Sequence, residues 1–267
     1  MTHVVRAELL RLVHRRSGLG LLAAATAFAA VVGLSIYAGA TAAPAGPAGP
    51  AGRRSGASVA SLSGTGGGTE AFVVGASFVG FFVFVTVIAL MAADLSGGTF
   101  RTLAQREPRR VRLLAGKVAA VLAVAAGVVA ATEALTFAAS LVLAPLYGVP
   151  TAGWFSLASL GDAAVDAGTV LAGVAGWAVF ATLVAVVFRS VPVALAAGFG
   201  WAGPFENIVS ESWSPGYRWF PGQVLAAVIR GGNAELGFGR AAVTAAVYAA
   251  VAAAAALWVL CRRDVTA

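Results

Sequence analysis

"DLSGGTFRTLAQREPRRVRLLAGK", residues 94–117, lies between two long apolar runs, and its reading decides the fold. From Arg101 to Lys117 it carries six of the chain's 18 Lys and Arg residues, whereas the run before it, 71–93, holds no charge at all. A bilayer core is crossed by about 20 apolar residues in a helix. A basic stretch between two such runs is therefore a loop at one membrane face, and its charge says which face.

Composition extends this reading to the whole chain. Of 267 residues 60% are apolar and only 11% charged, too little charge to coat the surface of a soluble domain of this size. Six apolar segments stand out, 18–40, 71–93, 113–146, 169–188, 191–205 and 241–261. The fifth is short and carries Pro192 and Pro204. The runs are rich in Ala, Leu and Val and lack the period-two alternation of barrel strands. The expected fold is an all-α integral membrane protein with six transmembrane helices, built as a single domain over 1–267.

Orientation follows from the Lys and Arg positions. With the N-terminus inside, cytoplasmic segments hold 13 of the 18 and outer segments hold five, Arg53, Arg54, Arg218, Arg230 and Arg240. The positive-inside rule thus expects both termini in the cytoplasm. The net charge of +7 does not point to nucleic acid, because the Arg residues cluster at the ends of apolar runs, where lipid headgroups lie. A single cysteine, Cys261, excludes an internal disulfide and a cysteine-based zinc site.

Residues 1–17 read as an amphipathic helix in the cytoplasmic interface, with Val5, Leu9, Leu12 and Val13 on one side and Glu8, Arg11, His14 and Arg15 on the other. A signal peptide ending at Ala40 is the rival reading; the apolar run is about twice a typical signal core in length, which favours a retained anchor. Residues 41–70 form an outer Pro/Gly-rich loop that includes "PAGPAGPAG" and reads as a flexible or polyproline-like linker. A second outer loop, 206–240, holds Trp213, Tyr217, Trp219 and Phe220, which suit the headgroup layer or a substrate gate. Pro221 there opens a short interfacial or re-entrant helix.

Catalytic chemistry finds no support. Leu95–Gly98 matches the start of the signature motif of ABC ATPases, but a phosphate-binding loop needs Gly-Lys-Ser/Thr between strand and helix. The only Gly-Lys pair, Gly116-Lys117, is followed by Val118. His3 and His14 are the only histidines, so no nucleophile–His pair or histidine metal cluster forms within the spans. Three carboxylates remain as pathway candidates. Asp162 and Asp166 share a helical face and suit a cation or a shared proton, or mark a wet helix end. Glu133 lies 16 residues beyond Lys117, roughly 24 Å up a core about 30 Å thick, and must face the bundle or a wet cavity. A substrate-pathway or proton-relay role and a structural bond to a neighbouring helix both fit it.

Taken in order, "VVRAELLRLVHRRSG", "GGTFRTLAQREPRRVRLLAGK", "YRWFPGQVLAAVIRGG" and "LWVLCRRDVT" resemble the elbow helix, cytoplasmic loop, outer segment and basic tail of type 2 ABC transporter permease subunits, particularly actinobacterial ones. The loop pattern falls on Gly98, Thr99, Pro108, Arg110 and Lys117; Asp94 stands where the family commonly has Glu, and the proline-rich first outer loop has no counterpart. The resemblance implies a half-transporter in the bacterial plasma membrane. It would pair with a second permease subunit, in a homodimer or heterodimer, and with separate ABC ATPase subunits that carry ATP and Mg. The chain itself would bind no cofactor, and the loop 94–112 would couple it to the ATPase. Residues Thr99, Phe100, Arg101, Thr102, Gln105 and Arg106 are the expected docking surface, on a short helix limited by Pro108. Arg109, Arg110, Arg112 and Lys117 are expected to meet lipid headgroups and fix topology, with docking as the alternative role of the three arginines. Competing readings are a non-pumping scaffold or immunity protein of the same fold, and a proton-coupled secondary transporter. The second of these would be expected to show inverted repeats and broken midplane helices.

Overall fold

Uncharged runs of this length satisfy their backbone polar groups internally, and the i to i−4 ladder of an α-helix does so within one segment. The computed structural model, which describes residues 16–40, 58–106 and 110–262, is helical, with no strand among the described residues. Its main elements are α1 (Arg16–Ala38), α2 (Glu70–Ser96), α3 (Thr99–Arg106), α4 (Arg110–Leu146), α5 (Leu157–Phe188), α6 (Val191–Gly200), α7 (Glu206–Ser212), α8 (Pro221–Ile229) and α9 (Phe238–Arg262). Four of them, α2, α4, α5 and α9, are long and apolar enough to cross a membrane. At about 1.5 Å per residue each exceeds the ~30 Å of a hydrocarbon core. Their outward faces are apolar as well: Leu157 is 86% exposed, and Val243, Val247, Val251 and Trp258 line the open face of α9. Surfaces of this kind are stable against lipid and not against water.

α2 is the hub, packing against α5, α1, α6 and α4. Phe72, Phe84 and Ile88 on it are fully buried. Small residues let the other helices close on it: Gly198 of α6 lies against Phe84 and Ile88, and Gly80 of α2 against the Trp177 indole of α5. On the next face, Phe28 of α1 meets Phe78 at 4.1 Å between ring centroids.

The fifth apolar segment runs further than its composition implies. Val191–Gly200, Trp201–Phe205 and Glu206–Ser212 follow without a break, 10, 5 and 7 residues, with right-handed backbone at each junction. The middle piece is a π-turn containing Pro204. Proline lacks the N–H for the α ladder and crowds the carbonyl four residues back, and a widened turn accommodates both. The rod therefore ends at Ser212 instead of Phe205, and Glu206 lies inside it.

Residues 1–15, most of the expected interfacial helix, lie outside the described residues, as do 41–57 of the outer loop. The rest of that loop is packed, in contrast to the free linker its Gly/Ser content implies. Ser58 and Ser61 form a reciprocal capping box on the turn Val59–Leu62. Leu62 is 1% exposed, and its carbonyl accepts a 2.8 Å bond from Trp154 Nε1. Gly67 must be glycine, because a Cβ there would strike the Leu62 carbonyl.

Glycine contacts also give a stability test. A Cβ on Gly173 would collide with Ile229, whereas Gly127 has open space. Gly173→Ala should destabilise the detergent-purified protein by about 1–3 kcal/mol. Gly127→Ala should be neutral or stabilising by up to ~1 kcal/mol. Equal unfolding midpoints for the two variants would contradict this packing.

Candidate functional site

The two ends of the bundle differ in chemistry. At one end α2 stops at Gly97, and Gly98, with φ +73°, turns the chain into α3. α3 is amphipathic. Phe100 is 2% exposed and lies in a cluster with Leu113 and Leu114 of α4, Val186 of α5 and Leu260 of α9, while Thr102 and Gln105 face outward. Phe100, expected on a docking surface, is thus an anchor: its apolar ring fills the gap between three helix ends. Thr99 is half-buried, as is Arg112. Arg109 lies outside the described residues, and so do the side chains of Arg101, Arg106 and Arg110.

Lys117 also departs from expectation. Instead of reaching the headgroup layer it is 2% exposed, and its Nζ donates to Asp94 Oδ2 at 2.7 Å. Asp94 is 6% exposed. Both charges lie on inward faces, Asp94 at the end of α2 and Lys117 about two turns into α4. Neither can be desolvated alone without a cost of several kcal/mol, and their attraction offsets much of it. The pair ties the two helices on either side of α3.

At the opposite end, α4 and α5 flank a cavity of about 330 Å³. Glu133 and Phe137 of α4, Trp154 of the connecting turn, Ala163 and Ala167 of α5, and Thr69 before α2 are among its walls. Oε1 of Glu133 is sealed from solvent and has no hydrogen-bond partner among the described residues. Thr69 Oγ1 donates to Asp166 Oδ2 at 2.6 Å. Asp166 lies within electrostatic range of Glu133 and of its helix neighbour Asp162. Among the described residues no three His, Cys, Asp or Glu gather closely enough to hold a metal ion.

A fourth carboxylate was not evident from the sequence. Glu206 is fully buried, and its Oε2 accepts the Gln223 backbone N–H at 3.2 Å. Gln223 stands in the first turn of α8, whose N-cap residue, Phe220, provides no side-chain acceptor. Glu206 therefore caps α8 from another helix, placing negative charge at the positive end of its dipole. A Cβ on Gly222 would collide with the carboxylate and come within 3.0 Å of Trp177. The start of α8 thus lies level with the middle of α5. Its end lies nearer the cavity, where Thr169 Oγ1 donates to the Ile229 carbonyl at 3.3 Å and Arg230 Nε to Ser77 Oγ at 2.9 Å. The only sequence signal was an acid directly after an apolar run, followed by a Pro-Gly helix start.

Searches against family models, curated proteins and solved structures find no match, so the geometry carries the functional reading.

Lys117→Met should cost about 3–5 kcal/mol by removing the cationic partner of the buried Asp94. Adding Asp94→Leu should recover most of that loss in detergent unfolding, and a double variant as unstable as the single would refute the pairing. Glu206→Ala should cost about 1–3 kcal/mol, read the same way, by uncapping α8.

Proposed function

We propose that the chain is the membrane-spanning permease subunit of an ATP-driven ABC exporter in the bacterial plasma membrane, and that it has no catalysis of its own. Its six spans are α1, α2, α4, α5, the α6–π–α7 rod and α9. α8 is a re-entrant helix entering from the outer side, and both termini are cytoplasmic. Two permease subunits enclose the pathway, and ATP and Mg are bound by separate ATPase chains.

The observation that carries this reading is the seating of α3. Phe100 anchors the helix among the ends of α4, α5 and α9, the Asp94–Lys117 pair clamps its two flanks, and Thr102 and Gln105 remain exposed. A short helix held in this way moves as a unit with the spans. Pressure on its outer face is passed on as rigid-body motion, which is what coupling to a nucleotide-driven closure requires. The basic character of the surrounding loop favours a carboxylate-bearing partner groove and the cytoplasmic leaflet alike. Long apolar spans suit an amphipathic or lipid-like cargo.

The test is purification from native membranes with photoactivatable ATP. An ATP-labelled subunit should co-purify with the wild-type chain. Gln105→Trp should lower its recovery about tenfold, as expected for loss of ~1.4 kcal/mol at an interface, without shifting the unfolding midpoint. Absence of any ATP-labelled subunit from the wild-type preparation would sink the exporter reading and favour a scaffold.

A further inference from the structure

The cavity beside Glu133 has a composition that selects a ligand. Its volume of about 330 Å³ is at the small end of ligand pockets, enough for a headgroup and not for a drug-sized molecule. Small side chains open the space, with Ala130, Ala134, Ala163, Ala164 and Ala167 around it. The rings of Phe137 and Trp154 form one wall, 6.1 Å apart between centroids. The indole is held by the 2.8 Å bond from its Nε1 to the Leu62 carbonyl, so the aromatic wall is set before any ligand arrives. Glu133 is a wall residue and supplies the carboxylate of the lining. Asp166, bonded to Thr69 and within electrostatic range of Glu133, stands on α5 outside the lining. Among the described residues that line the cavity none is Lys, Arg or His.

The geometry points to a binding site for a small organic cation, a quaternary or alkylammonium group, in the cavity between Glu133 and the Phe137–Trp154 wall. A bare divalent metal is disfavoured, because it needs several oxygen ligands and the walls are mostly methyl groups and rings. An alkylammonium suits all three surfaces at once: its charge faces the carboxylate, its positive edge faces an aromatic ring, and its carbon skeleton covers the alanines. The site is complete within one chain and requires no ATPase, so it stands or falls apart from the exporter reading. The same ammonium chemistry is offered by a free cation and by a choline-type lipid headgroup.

Equilibrium binding of radiolabelled choline to the full chain tests this, at ionic strength fixed with sodium chloride. In nonionic detergent the wild type should bind choline saturably. Glu133→Gln, which removes the charge, and Ala163→Leu, which fills the space, should each weaken binding at least about tenfold. Both should keep the wild-type elution profile; if one does not fold, the other decides. Nanodiscs distinguish the source: phosphatidylcholine discs that suppress binding seen in phosphatidylglycerol discs identify a lipid headgroup, and equal binding in both identifies a free cation. No saturable binding by the wild type, or wild-type affinity in a folded Glu133→Gln or Ala163→Leu variant, overturns the proposal.

Discussion

The rest of the structure depends on the buried ion pair between Asp94 and Lys117. Two charges enclosed at the end of a bundle leave little freedom, and each is stabilised by lying within bonding distance of the other. At 2.7 Å they fix the exit of α2 against the entry of α4, and α3 fills the interval. Lys117 is the only lysine in the chain, among 18 basic residues that are otherwise Arg. A compact ammonium on a flexible stem fits a narrow buried position that a planar guanidinium fits poorly. α3 is thus a seated platform with its apolar side, Phe100, turned inward.

From that clamped end the helices diverge in their use of polarity. Glycines at 80, 173, 176 and 198 bring backbones together through the middle, and large side chains fill the gaps between them. Toward the far end carboxylates replace this dry packing. Glu206 takes up the free amide at the start of α8, and Glu133, Asp162 and Asp166 gather near the cavity. Two of these acids have a structural consequence: buried Glu206 holds a helix that folds back into the bundle, and half-buried Glu133 borders a space. The polar groups thus mark the places where the fold is not simply a stack of spans.

How much of this was legible in the sequence follows from what sequence patterns encode. Length and apolarity place the long helices, because a bilayer sets both requirements. Four-residue spacing puts Asp162 and Asp166 on one face, and the cost of a lipid-facing charge turns Glu133 inward. Rotation was less accessible. α4 is apolar on all sides, so no periodicity says which way Lys117 points, and a basic residue near a span end reads by default as a headgroup contact. Glu206 escaped because its partner is a backbone amide, which leaves no trace in side-chain identity. Residues 58–69 resembled a linker because the tie that packs them, Trp154 to the Leu62 carbonyl, spans 92 positions.

The proposed arrangement is a polarised bundle, with the α3 platform on the cytoplasmic side of a membrane and the carboxylate cavity on the outer side. Cysteine accessibility tests it most directly. Cys261 is the only cysteine and is exposed, so it is first changed to Ser. Single cysteines then replace Gln105 on α3 and Tyr147 beyond α4 at the cavity end. A membrane-impermeant maleimide applied to intact cells should label Tyr147→Cys and leave Gln105→Cys untouched until the cells are opened. Labelling of Gln105→Cys in intact cells, or equal behaviour of the two positions, would contradict the account.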